Sequence, residues 1–219
     1  IFGIINNNPW LAVKVVVNIS LEDNLSIHLA RTVAGTIRVL CDDESIIGFL
    51  LRDGVVKALY RLKNTNDKIV LHRCIEALCA LYSQSSEVVN KLINMGTVGL
   101  LGYICENMKD ENTAEWCAFA LLRLSYRFVC PIEFLSTGVL PAIIKLLGNT
   151  NSIQATNQCK LFCAHALAEL TAERELKSSI AISILVKMLQ DESIADIKTR
   201  SATALYNLAV TRENCFMML

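Results

Sequence analysis

Three glycines stand at equal intervals in this chain: Gly54, Gly96 and Gly138 are 42 residues apart, and the next step of 42 lands on Ile180. A fixed period in the range of about 20–50 residues is the mark of stacked copies of one supersecondary unit. The residues after each anchor superpose without a gap. Leu59, Leu101, Ile143 and Leu185 share one column, and Leu62, Ile104, Leu146 and Met188 share the column three residues on. Apolar spacing of three describes one face of a helix rather than one face of a strand.

A second set of columns follows about twenty residues later. Ala77-Leu78, Ala120-Leu121, Ala166-Leu167 and Ala204-Leu205 align, each followed three residues on by Leu81, Leu124, Leu170 and Leu208. The alanines allow close helix approach and the leucines fill the core. Between the two helices lie polar breakers at Asn64–Asp67, Lys109–Thr113, Asn149–Ser152 and Asp191–Ser193, which carry turn and N-cap chemistry. Short amphipathic pieces precede the glycines at Ser45–Leu51, Glu87–Ile93 and Pro131–Leu135. The same grammar reaches back to helices at Trp10–Ile19 and from about Ile27 to Leu40, with a break at Ser20–Asn24. Each unit is therefore a short helix, a sharp glycine turn, a second helix, a polar loop and a long third helix.

Gly138-Val-Leu-Pro-Ala-Ile-Ile-Lys-Leu-Leu147 and Ala204-Leu-Tyr-Asn-Leu208 carry a Gly-x-x-x-x-Leu-x-x-Leu-Leu then Ala-Leu-x-x-Leu pattern that resembles the armadillo repeat. The resemblance covers nearly the whole chain: repeats at about 1–41, 44–83, 86–126, 128–171 and 174–209, with the opening of a sixth at 211–219. It implies an all-α fold, a single right-handed superhelical α-solenoid on the order of 50 Å long if helix layers lie roughly 8–10 Å apart. It also implies that the third helices line a concave groove. Ile180 departs from the pattern, so the last full repeat must make its turn differently. The apolar ends, with Phe2, Ile4 and Ile5 at one and Phe216, Met217 and Met218 at the other, read as surfaces of an excerpt that continue into a longer chain.

Composition narrows the functions. The chain of 219 residues has 21 basic and 21 acidic side chains, 53% apolar residues and nine cysteines. Zero net charge removes the simplest basis for nucleic-acid binding. No run approaches the ~18 uninterrupted apolar residues of a spanning helix, because Lys14, Arg31, Arg52, Lys57 and Arg61 interrupt each candidate, and direct membrane insertion is not expected. An odd cysteine count in a chain able to bury a core predicts reduced thiols in the cytoplasm or nucleus.

Candidate chemistry dissolves into the repeat. Cys74, Cys117 and Cys163 share one column with Ser201, as core-filling residues would. Cys159, Cys163 and His165 do not share a helix face, since two residues turn about 200° around the axis, so no metal site is expected. Gly96, Gly99 and Gly102 follow no strand and read as small residues that let helices approach, not as a phosphate loop. Neither a nucleophile elbow nor a metalloprotease motif is present, and no enzyme activity and no cofactor are expected. Asp42-Asp43-Glu44 and Asp191-Glu192 read as caps at helix starts.

The third-helix face remains. Three of its columns hold Arg73, Trp116, Phe162 and Arg200; Glu76, Phe119, His165 and Thr203; and Ala80, Arg123, Glu169 and Asn207. In the armadillo proteins that import nuclear cargo, the latter two columns carry Trp and Asn ladders, and only Asn207 matches here. The mixed set predicts a protein-binding groove in which Arg73, Glu76, Trp116, Phe119, Arg123, Phe162, His165, Glu169, Arg200 and Asn207 meet an extended or helical partner segment. Trp116 and Arg123 lead by residue type, although Trp116 could equally pack beneath the next repeat and Arg123 could pair with Glu169. The reading is a non-enzymatic scaffold or adaptor, with a cytoskeletal or ciliary assembly as a setting. Its alternatives are a nuclear import receptor of the importin-alpha type and a ligand-sensing regulatory domain of a larger enzyme.

Overall fold

The computed structural model describes residues 9–127, 138–147, 155–172, 179–191, 194–210 and 212–218. Among them are thirteen α-helices and no strand. They gather into two compact units, 1–109 and 110–219, which divide inside the third repeat. The expected short helix at 131–135 and the breaker at 149–152 lie outside the described residues.

The first unit holds α1 (Pro9–Ser20), α2 (Ile27–Leu40), a 3-10 turn (Glu44–Ile46), α3 (Ile47–Asp53), α4 (Val55–Lys63), α5 (Lys68–Tyr82), α6 (Ser86–Asn94) and α7 (Thr97–Asn107). The second holds α8 (Glu111–Arg127), α9 (Val139–Leu147), α10 (Asn157–Ala172), α11 (Ser179–Asp191), α12 (Ala195–Leu208) and α13 (Arg212–Met218). Third helices of successive repeats pack side by side: α2 on α5 in the first unit, and α8 on α10 on α12 in the second. Second helices form a layer of their own, α1 with α4 and α4 with α7, then α9 with α11. Within each unit this is the architecture of an all-α solenoid.

Gly54, Gly96 and Gly138 adopt φ of 101°, 86° and 86°, the left-handed region where a side chain is strained. Gly54 and Gly96 each stand between a first helix and a second, and the bend between α6 and α7 is 75°. At Gly96 a close approach adds to the requirement. The Tyr60 hydroxyl donates to the Gly96 carbonyl at 2.6 Å, and a Cβ at either Gly96 or Gly99 would stand 3.3 Å from that hydroxyl. Gly102 has no such neighbour, so close packing explains two of the three glycines. Ile180 makes no turn: it is the second residue of α11 and is 57% exposed.

The apolar columns are core. Leu59, Leu101, Ile143 and Leu185 are buried, as are Leu62, Ile104, Leu146 and Met188 and the alanines 77, 120, 166 and 204. Leu205 alone of the Ala-Leu leucines is only half-buried. The small column of Cys74, Cys117, Cys163 and Ser201 is fully buried. Burial pushes the Cys74 thiol up to about 12 and raises that of Cys41 further, which keeps both as uncharged packing groups.

Several of the polar breaks cap helices, but Asp191 does not stand at a helix start as expected: it ends α11, and α12 begins after Ile194 with no side-chain cap. Ser26 accepts from the Leu29 N–H, and Asp43 accepts from the Ser45 N–H at the 3-10 turn. Asp110 accepts from the Thr113 N–H at the start of α8. Asp67 does two jobs at once. Its Oδ1 accepts from the Ile69 and Val70 N–H groups to cap α5, and both oxygens receive Arg31 of the preceding third helix, at 3.1 and 2.7 Å. The Arg31 hydrogen bonds, with the two backbone N–H groups, hold the Asp67 carboxyl at about 2, below its ordinary 3.8. A depressed carboxyl contributes stability that is present above the ordinary value and is lost as pH falls toward the folded one. Asp67→Ala is therefore expected to destabilise the chain at pH 7 by about 1–2 kcal/mol, the worth of a lost cap. The gap from wild type should narrow as pH falls from 4 toward 2 in urea melts. A deficit unchanged across that range would show that charge plays no part.

Candidate binding face

Side chains spaced three, four and seven along a helix share one face, and the third helices all leave that face partly open. Trp116, Phe119 and Arg123 on α8 are half-buried, as are Phe162, His165 and Glu169 on α10. Arg73 and Glu76 on α5 and Arg200 and Asn207 on α12 are half-buried too. The interleaved cysteine and Ala-Leu columns point the other way into the core. Residues a few positions apart on one helix thus divide between packing and presentation, with Leu205 on α12 the exception.

On the second unit the presented side chains make a continuous aromatic surface. Trp116 and Phe119 meet edge to face, centroids 5.9 Å apart at 78°, and Phe119 meets Phe162 of the next third helix at 5.2 Å and 48°. The Arg123 guanidinium lies over the Phe119 ring, 4.9 Å from its centroid. Together Glu115, Trp116, Phe119 and Phe162 wall an open depression of about 300 Å³. Trp116 therefore lines a concavity and is not sealed beneath a neighbour. Sequence columns did not pick out Glu115, because its equivalents His72, Leu161 and Thr199 share no chemistry with it. Its role depends on Thr156, whose hydroxyl donates to Glu115 Oε1 at 2.5 Å and accepts from the Cys159 N–H as the cap of α10.

Arg123 and Glu169 do not form an ion pair with each other. Arg123 Nε and His165 Nδ1 are buried with no hydrogen-bond partner among the described residues. Desolvation, with the positive charge of Arg200, lowers the His165 pKa against the opposing pull of Glu169 and Asp196, so its imidazole is neutral at pH 7. Asn207 donates from Nδ2 to the Ala168 carbonyl and the Thr171 hydroxyl, both at 3.3 Å, which ties α12 to α10. Its amide N–H groups are engaged within the solenoid.

Among its described residues the first unit presents no comparable aromatic face. Arg73 and Glu76 pair with each other at 2.8 Å, and His72 stands 3.9 Å from the same carboxylate. Among the described residues no group of three or more His, Cys, Asp or Glu side chains is placed to hold a metal ion. No single described helix is long and apolar enough to cross a membrane.

No protein-family model and no curated protein matches this chain. Solved structures do. A computationally designed armadillo repeat protein for modular peptide recognition superposes with a TM-score of 0.72 at 16% identity, over 90% of this chain and 82% of that one. A second designed armadillo repeat protein gives 0.71 at 16% identity over 94% and 86%. A third, in complex with the peptide (KR)4, gives 0.69 at 16% identity over 90% and 82%. The fold is armadillo-like.

Proposed function

We propose that this chain is a non-enzymatic protein-binding scaffold that holds a partner segment along the face of its third helices. One observation carries the reading: α8 and α10 leave three aromatic rings around an open depression, with Arg123 over one of them and in no ion pair among the described residues, while the columns beside them are buried. Exposed Trp and Phe cost hydration free energy unless something covers them, and Trp and Arg dominate measured binding hot spots. Structural neighbours designed for peptide recognition, one of them with a peptide bound, support a segment in this groove. Mixed charge from Arg123, Glu169 and Arg200 favours a partner segment of both signs. An odd cysteine count in a chain able to bury a core suits a reducing compartment, and we place the scaffold in the cytoplasm, in a cytoskeletal or ciliary assembly.

Exchanging the charges tests the groove. The double variant Arg123→Glu, Glu169→Arg is expected to lose specific neighbours in crosslinking mass spectrometry of the full-length protein in its native cell, with helicity and melting unchanged. An unaltered neighbour set would place the contacts elsewhere.

A further inference from the structure

The depression on the second unit has walls of unusual chemistry for a site that takes an apolar anchor. Three of its lining residues are aromatic, and the fourth, Glu115, carries a carboxylate. A purely apolar side chain seated there would strip water from that carboxylate and return nothing, and an acidic one would be repelled. A cation with an apolar body satisfies both kinds of wall.

The number of acceptors then decides which cation. Glu115 Oε1 is held by the Thr156 hydroxyl, and Oε2 has no partner among the described residues. The pocket therefore offers one strong acceptor. An unmodified lysine brings three N–H donors and arginine five, and each donor turned toward the aromatic walls rather than toward Glu115 or solvent forfeits a hydrogen bond. Replacing N–H with N–CH3 removes that loss, leaves the positive charge, and suits aromatic faces, which attract methylated ammonium groups through the ring quadrupole. The rings meet at 78° and 48°, so they form walls of different orientation rather than one flat stack. Phe119 already accepts one cation from within the chain, Arg123. Glu115 and Arg123 lie eight residues apart on α8, about 12 Å between their backbone positions along the helix, and the guanidinium lies over Phe119.

We infer that the depression walled by Glu115, Trp116, Phe119 and Phe162 receives a dimethylated lysine side chain of the partner segment. Its single N–H donates to Glu115 Oε2 and its two methyl groups contact the rings. The inference rests on the groove reading above, and it adds the anchor's chemistry and its sensitivity to lysine methylation.

The test titrates the full chain with N-acetyl-Nε,Nε-dimethyllysine N-methylamide, and with its unmethylated, trimethylated and neutral all-carbon homologues. The readout is the indole N–H resonance of Trp116, one of two tryptophans, the other being Trp10 on α1. The dimethyl probe is expected to saturate at about tenfold lower concentration than the unmethylated one, and no more weakly than the trimethyl one. Glu115→Gln retains an acceptor for Thr156 and should weaken the dimethyl probe more than the trimethyl one. Phe162→Ala should abolish the shift with either. An indole unmoved by every probe overturns the inference, as does an unmethylated or neutral homologue that binds as tightly as the dimethyl probe. Such a failure, combined with loss of neighbours in the charge-exchange variant, would leave the groove standing and remove only its methyl-lysine anchor.

Discussion

Replacing Leu121 with alanine is expected to lower the unfolding free energy by about 2–5 kcal/mol, the cost of emptying a buried leucine site that cannot collapse. Leu121 is fully buried on α8 in the Ala-Leu column, and α8 packs along α10 and against α9. Lys187→Ala, at an exposed position on α11, should stay within about 0.5 kcal/mol of wild type. Urea denaturation followed by far-UV circular dichroism reads both variants. A Leu121→Ala protein as stable as the Lys187→Ala control would contradict the repeat register from which the core and the presented face were both derived.

Trp116→Ala is expected to do the opposite kind of damage. Its ring is half-buried, packs edge to face on Phe119 and lines the depression. Truncation should cost partner affinity about 2 kcal/mol or more, near thirtyfold in Kd, as central tryptophans in interfaces do. The loss should be absent from Tyr126→Ala, which lies on the same helix but is exposed outside the aromatic cluster. Isothermal titration against the partner captured by crosslinking distinguishes the two. Equal affinity of the two variants would mean that the aromatic surface is not where the segment sits.

The fold was legible because its signals repeat. One glycine proves little, but Gly54, Gly96 and Gly138 at a constant interval each take the left-handed backbone that only glycine adopts without strain. The cysteine column was legible for the same reason, since Cys74, Cys117, Cys163 and Ser201 could be sorted into the core together. The face itself was marked by the columns holding Trp116, Phe119, Arg123 and Phe162, which the structure brings into one cluster. What escaped the sequence were contacts made between columns. The Glu115 to Thr156 hydrogen bond joins residues of different columns in neighbouring repeats, and the Arg31 to Asp67 pair joins a third helix to the cap of the next. Asn207 adds to this: its type matched a peptide-holding ladder, and its amide nitrogen donates to Ala168 and Thr171 of the preceding third helix. Residue type predicts exposure and capacity, whereas the partner of a given side chain depends on how two helices are offset.

Site-directed photo-crosslinking tests most directly whether the third-helix face holds a partner. A photoreactive phenylalanine analogue would replace Glu169 on the third-helix face in one variant and exposed Lys57 on a second helix in another, in the full-length protein in its native cell. The account predicts specific adducts from position 169, competed by a partner peptide that carries dimethyllysine, and none from position 57. Adducts from position 57 with none from position 169 would contradict it, because the partner would then lie against the second-helix layer.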